Sequence, residues 1–275
     1  MRLIDFDSHF QSYMEQWVKF NRKHYKTMDE MEDRIPELYM RWISEPQAFL
    51  DGKVPEAYFQ EIESVNELID LLQAYQEGGV SVPDLLLEAI ADRQEEAVHP
   101  LMELARGGKD EALRVTALNL LTEIGAIEAM EMCLDIISAA EEPSDTADVA
   151  AELLKNLGEA CVVPILDRME NAPAAAQDIF LDVLCNFPGN ERIYSYVENA
   201  FKTRFDQRAL FASYLAKLGD ARAIEPLRAS LMSQDINYLD YIEIVNAIEA
   251  LGGEVDDSRD FSGDPYYESL RTVKS

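Results

Sequence analysis

The chain has 275 residues, of which 48% are hydrophobic, and a formal net charge of -29. That apolar content supports a sizeable buried core and excludes a chain disordered by composition. The charge repels nucleic-acid backbones and anionic membranes, so neither is an expected partner, whereas a basic protein is.

Residues 1–79 read as a helical N-terminal cap region. Asp7 or Ser8 can cap a helix through HFQSYMEQWVKFNRKHY, and Thr27-x-x-Glu30 and Ser64-x-x-Glu67 are capping-box patterns. Pro36 and Pro55 suit helix starts, and Gly78-Gly79 ends the last of these helices. The region holds both tryptophans, Trp17 and Trp42. It covers the apolar face of the first repeat, or it presents aromatic side chains to a partner.

Residues 80–252 carry an internal period. A Leu-Gly step stands at Leu157-Gly158, Leu218-Gly219 and Leu251-Gly252, with weaker forms at Ile124-Gly125, Phe187-Pro188 and Ile90-Ala91. These positions recur every 30 to 34 residues. Three residues before each step from Ile124-Gly125 onward stand Leu121, Leu154, Leu184, Leu215 and Ile248. Seven before stand Ala117, Ala150, Phe180, Phe211 and Ile244, and six before stand Leu118, Ala151, Leu181, Ala212 and Val245. Spacings of three, four and seven mark one face of an α-helix. Each unit therefore has a helix ending at the step, with glycine supplying the left-handed residue just past the end. A second helix begins beyond it. Asp220 can cap that helix, and Pro100, Pro164 and Pro226 fit its first turn or a slight kink just inside it. Such a pair cannot bury both its apolar faces alone, so stacking into an α-solenoid is expected.

The stretch LGDARAIEPLRASL, Leu218 to Leu231, resembles the joint of HEAT repeats, in the short form found in phycobilisome lyases. The likeness extends more loosely over residues 83–252. It implies an all-α fold: a HEAT-like superhelix whose second helices line a concave face. On those helices, positions nine, five and one before the Leu-Gly step form a stripe. The stripe includes Asn119 in one repeat, Asp148, Glu152 and Asn156 in the next repeat, and Asp178, Asp182 and Asn186 in the repeat after that. Four carboxylates across two stacked helices make an acidic patch that a basic partner segment fits, or an ordinary solvated face. Asparagine is a poor helix former, and these side chains can bond a peptide backbone.

The tail, residues 253–275, is acidic and turn-rich. Asp256, Asp257, Asp260 and Asp264 lack the spacing of a calcium loop, and Phe261, Tyr266 and Tyr267 can anchor the segment on the last repeat.

No chemistry-bearing motif emerges. His9, His24 and His99 lack metal-ligand spacing, and no GxSxG, P-loop or GxGxxG occurs. HEAT-like enzymes that hold iron use paired His-Glu dipeptides, and this chain has none. HEAT-like DNA glycosylases need a basic groove, but residues 77–252 carry 13 Lys and Arg against 32 Asp and Glu. No cofactor and no metal are expected. Cys133, Cys161 and Cys185 have no CxxC spacing and read as buried free thiols of a reducing compartment. With no signal peptide and no apolar run near ~20 residues, a cytoplasmic protein is expected. The expectation for function is a non-catalytic scaffold or adaptor binding a basic or extended segment in an acidic groove. A subunit of a bilin-lyase-like enzyme and a purely structural, self-assembling module are the alternatives.

Overall fold

A computed structural model describes residues 3–108, 110–142, 144–233, 236–256 and 259–272, and among them every regular element is helical. The chain forms two compact units, Met1–Met132 and Cys133–Ser275. The first unit contains α1 (Phe6–Asn21), α2 (Asp29–Glu32), α3 (Ile35–Ser44), α4 (Pro55–Tyr58), α5 (Val65–Gly78), α6 (Asp84–Ala91), α7 (Glu95–Gly107) and α8 (Glu111–Ile124). Helix α9 (Met130–Ser138) runs through the division. The second unit contains α10 (Asp145–Asn156), α11 (Val162–Met169), α12 (Ala174–Leu184), α13 (Glu191–Thr203), α14 (Arg208–Leu218), α15 (Ile224–Leu231), α16 (Tyr238–Ala250) and α17 (Pro265–Thr272).

The periodic residues make the core. Leu121, Leu154, Leu184, Leu215 and Ile248 are fully buried, as are Ala117, Ala150, Phe180, Phe211 and Ile244. Of the third set only Val245 is half-buried instead of buried. At four joints the turn is made as the sequence implies. Gly125 (φ 73°), Gly158 (φ 70°), Gly219 (φ 69°) and Gly252 (φ 84°) follow the ends of α8, α10, α14 and α16 with positive φ, where a Cβ is strained. The weakest joints turn later. After Phe187-Pro188 the positive-φ residue is Gly189, and after Ile90-Ala91 it is Gln94. Three joints pass through one turn of 3-10 helix, Ile127–Ala129, Gly158–Cys161 and Ala221–Ala223, before the next α-helix. Asp220 caps the last of these turns by accepting from the Arg222 N–H. Pro164 and Pro226 stand in the first turns of α11 and α15, whereas Pro100 lies inside α7.

Within each unit, helices pack on others one or two elements away along the chain. In the first, α5 packs on α6 and α7, and α8 on α6 and α7; in the second, α12 packs on α10, α11 and α13, and α16 on α14 and α15. Several polar contacts span about one period. In the first unit Gln60 donates to Asp92 (2.6 Å), Gln76 to Asp110 (2.9 Å) and Arg93 to the Ile62 carbonyl (2.6 Å). In the second, Arg168 pairs with Asp135 (3.1 Å) and Arg222 with Glu191 (2.8 Å). Each partner lies 31 to 34 residues from the other.

The ends differ in detail from the sequence reading. Asp5, not Asp7 or Ser8, caps α1 by accepting from the Ser8 N–H (2.9 Å), because the first buried residue, Phe6, already belongs to the helix. The Thr27 box forms only in part: Thr27 accepts from Glu30 N–H, but Glu30 accepts from Lys26 N–H and not from that of Thr27. Ser64 caps α5 and Gly79 ends it. Trp42 is 2% exposed and packs with Phe6, Phe10 and Phe49, so it is core and offers no surface to a partner. Trp17 is half-buried against Tyr25. The tail contains a helix, α17, that the sequence reading does not include. Asp264 starts it, accepting from Tyr266 and Tyr267 N–H groups, and Pro265 fills its first position. Phe261 packs on Tyr238 and Tyr241, and Tyr266 and Tyr267 meet Tyr238, as the anchoring expectation requires. Asp257 lies outside the described residues. All three cysteines are buried free thiols.

Candidate functional site

Two helices build the groove that holds the predicted carboxylates. Ser144 caps α10 by accepting from Ala147 N–H (3.2 Å), and α12 starts directly after Pro173. Residues 148, 151, 152 and 155 then share one face of α10, and 175, 178, 179 and 182 one face of α12. Together they enclose about 600 Å³, lined by Asp148, Ala151, Glu152 and Lys155 on one side and Ala175, Asp178, Ile179 and Asp182 on the other. The small apolar residues form a floor between two acidic walls, and no aromatic side chain is among the lining residues.

The walls are less bare than the sequence implies. Lys155 reaches both: its Nζ is 2.7 Å from Glu152 Oε1 and 2.6 Å from Asp182 Oδ2. Burial works against the Lys155 charge, but its hydrogen bonds to Asp182 and Glu152 outweigh that and raise its pKa. Asp182 also accepts from the Tyr214 hydroxyl (3.3 Å), whose own pKa is pushed up by burial and by that carboxylate. Asp178 is held bidentately by Arg204 through Nη1 and through Nη2 (2.8 Å), and the Arg204 guanidinium lies 5.0 Å over the Phe211 ring. The hydrogen bond to Asp178 keeps Arg204 above its ordinary range. Asp148 is exposed and makes no side-chain hydrogen bond or ion pair among the described residues.

Of the predicted asparagines, Asn156 and Asn186 are exposed and neither lines the groove. The Asn186 amide donates to the Asp182 and Val183 carbonyls of its own helix, so it closes the end of α12. Asn119 is exposed on α8 in the first unit. Sequence reasoning missed Lys155, Arg204 and Tyr214. Lys155 stands three residues after Glu152, a helical ion-pair spacing that was available. Arg204 and Tyr214 lie 26 and 32 residues from their partners and carry no local signal.

Among the described residues no group of three or more His, Cys, Asp or Glu is placed to hold a metal ion, and no helix is long and apolar enough to cross a membrane. Compared with protein-family models and with curated proteins, the chain matches none.

Proposed function

We propose that the protein is a non-catalytic scaffold or adaptor of HEAT-like repeats, its helix pairs stacked as an α-solenoid, whose groove between α10 and α12 holds a basic, extended segment of a partner protein. Polar contacts spaced 31 to 34 residues apart support the repeat reading, since each helix pair then touches its neighbour in the same register. The observation that carries the functional reading is the groove itself: Ala151, Ala175 and Ile179 as floor, four carboxylates as walls. A lysine or arginine side chain has the matching form, an aliphatic stem with a cationic head. The exposed carboxylates set association rate and salt dependence more than affinity. The net charge of -29 favours the same class of partner, and three buried free thiols fit a reducing, cytoplasmic setting.

The test uses Asp148→Lys with Glu152→Lys. Asp178 and Asp182 are left alone because they hold Arg204 and Tyr214, so reversing them disturbs packing as well as charge. Parent and variant are immobilised after circular dichroism shows equal helicity, and captured proteins are identified at low and high salt. Partners with lysine- or arginine-rich segments, held by the parent only and released by salt, are the expected result. Identical captures by both proteins refute the groove as the binding site.

A further inference from the structure

Lys155 is the only cation among the residues lining the groove. Its ammonium joins Glu152 of α10 to Asp182 of α12, bridging the walls where a partner's cationic head would sit. We propose that Lys155 is a built-in competitor, which occupies this position in the free protein and swings out when a lysine or arginine of the partner enters. The inference rests on the groove being the binding site.

The arrangement is suited to exchange. The Lys155 side chain is 21% exposed, while its partners Glu152 and Asp182 are 62% and 39% exposed; with the carboxylates open to water, each ion pair is weak and replaceable by an equivalent pair. Lysine is a flexible stem with a compact, strongly hydrated head, so leaving the groove restores rotamer freedom and solvation. Asp182 stays oriented when Lys155 leaves, because Tyr214 still donates to its other oxygen. Glu152 gives up its bond to the Lys155 ammonium and becomes available to the incoming cation. Arg204 is the contrasting case. Its planar fork grips both oxygens of Asp178 and stacks over Phe211, so it is a fixed strut. Asp148 has no partner among the described residues, so an incoming cation can pair with it without displacing another group.

The experiment measures binding of a fluorescent octalysine peptide by anisotropy at low salt. It compares the parent with Lys155→Met, Lys155→Gln, Lys155→Arg and Lys202→Met. Lys202 pairs with Glu198 on α13 and lines no part of the groove, so its loss matches the change in net charge alone. Both neutral variants at 155 are expected to bind about fivefold tighter than the parent, the upper end of what a surface ion pair contributes. Lys155→Arg is expected to bind no tighter, and Lys202→Met within about twofold of the parent. Equal or weaker binding by both neutral variants overturns the proposal while leaving the groove reading intact. An equal gain in Lys202→Met also overturns it, because net charge then explains the effect. No binding by any of the proteins removes the groove reading, and this proposal with it.

Discussion

Asp240→Ala should unfasten the start of α14. Asp240 belongs to α16 and is 8% exposed. Its Oδ1 accepts from the Ala209 N–H (3.1 Å) and its Oδ2 from the Asn237 side-chain amide (2.9 Å). The residue before α14, Gln207, makes no capping bond, so a carboxylate 31 residues further along the chain caps this helix. Alanine leaves the Ala209 N–H, a part-buried donor, without its acceptor. Loss of a charge-assisted hydrogen bond that is also a helix cap costs about 2 kcal/mol. For a cooperative unit of this size that lowers the melting midpoint by about 6 °C. Asp240→Asn should be intermediate, at about 1 kcal/mol. Its amide oxygen can still accept from Ala209, but its NH₂ then faces the Asn237 NH₂ as donor against donor. Thermal and urea unfolding followed by far-ultraviolet circular dichroism give the magnitudes, and hydrogen exchange at Ala209 gives the location. Because α14 carries Tyr214, fraying should also loosen the hold on Asp182. A melting midpoint for Asp240→Ala within about 1 °C of the parent, with the Ala209 amide still protected, refutes this account.

Two further outcomes come from ionisation. Burial pushes Cys133 and Cys185 up to about 12 and Cys161 up to about 11, so little thiolate exists at pH 8. A chromogenic disulfide reagent should therefore find no reactive thiol in the native protein and three after denaturation; rapid native labelling contradicts the burial. Asp264 is held below the ordinary aspartate range by N–H groups of Tyr267, Tyr238 and Tyr266. Its folded pKa lies below its unfolded pKa, so its contribution is complete at neutral pH and is lost as pH falls below the ordinary carboxylate range. Exchange protection of α17, corrected for intrinsic rate, should drop in that acid window and be low at pH 7 in Asp264→Asn; a variant as protected as the parent contradicts the role.

Much of the core is legible in the sequence. Fourteen of the fifteen residues in the three periodic sets are buried, because a helix that hides one face repeats apolar side chains at three, four and seven. Local caps are legible for the same kind of reason: Ser64 and Asp220 act within three residues of themselves. The start of α1 is not, since Asp5, Asp7 and Ser8 are all good caps and only the burial of Phe6 chooses among them. Helix α17 is hard to read although Asp264-Pro265 is a capping pair, because the acidic, turn-rich surroundings of the tail outweigh it.

The candidate site divides along the same line. Spacing by four puts Asp148 and Glu152 on one helical face and Asp178 and Asp182 on another, and a period near 30 makes those helices neighbours. That much is a property of chain geometry, which the sequence by itself determined. Whether those charges stand free or paired was decided only by the tertiary structure. Lys155 reaches across to α12, Arg204 arrives from the end of α13, and Tyr214 from α14. Hydrophobic periodicity specifies which face of a helix turns inward. Pairing of side chains depends on distances of about 3 Å between residues tens of positions apart, and no local pattern encodes those.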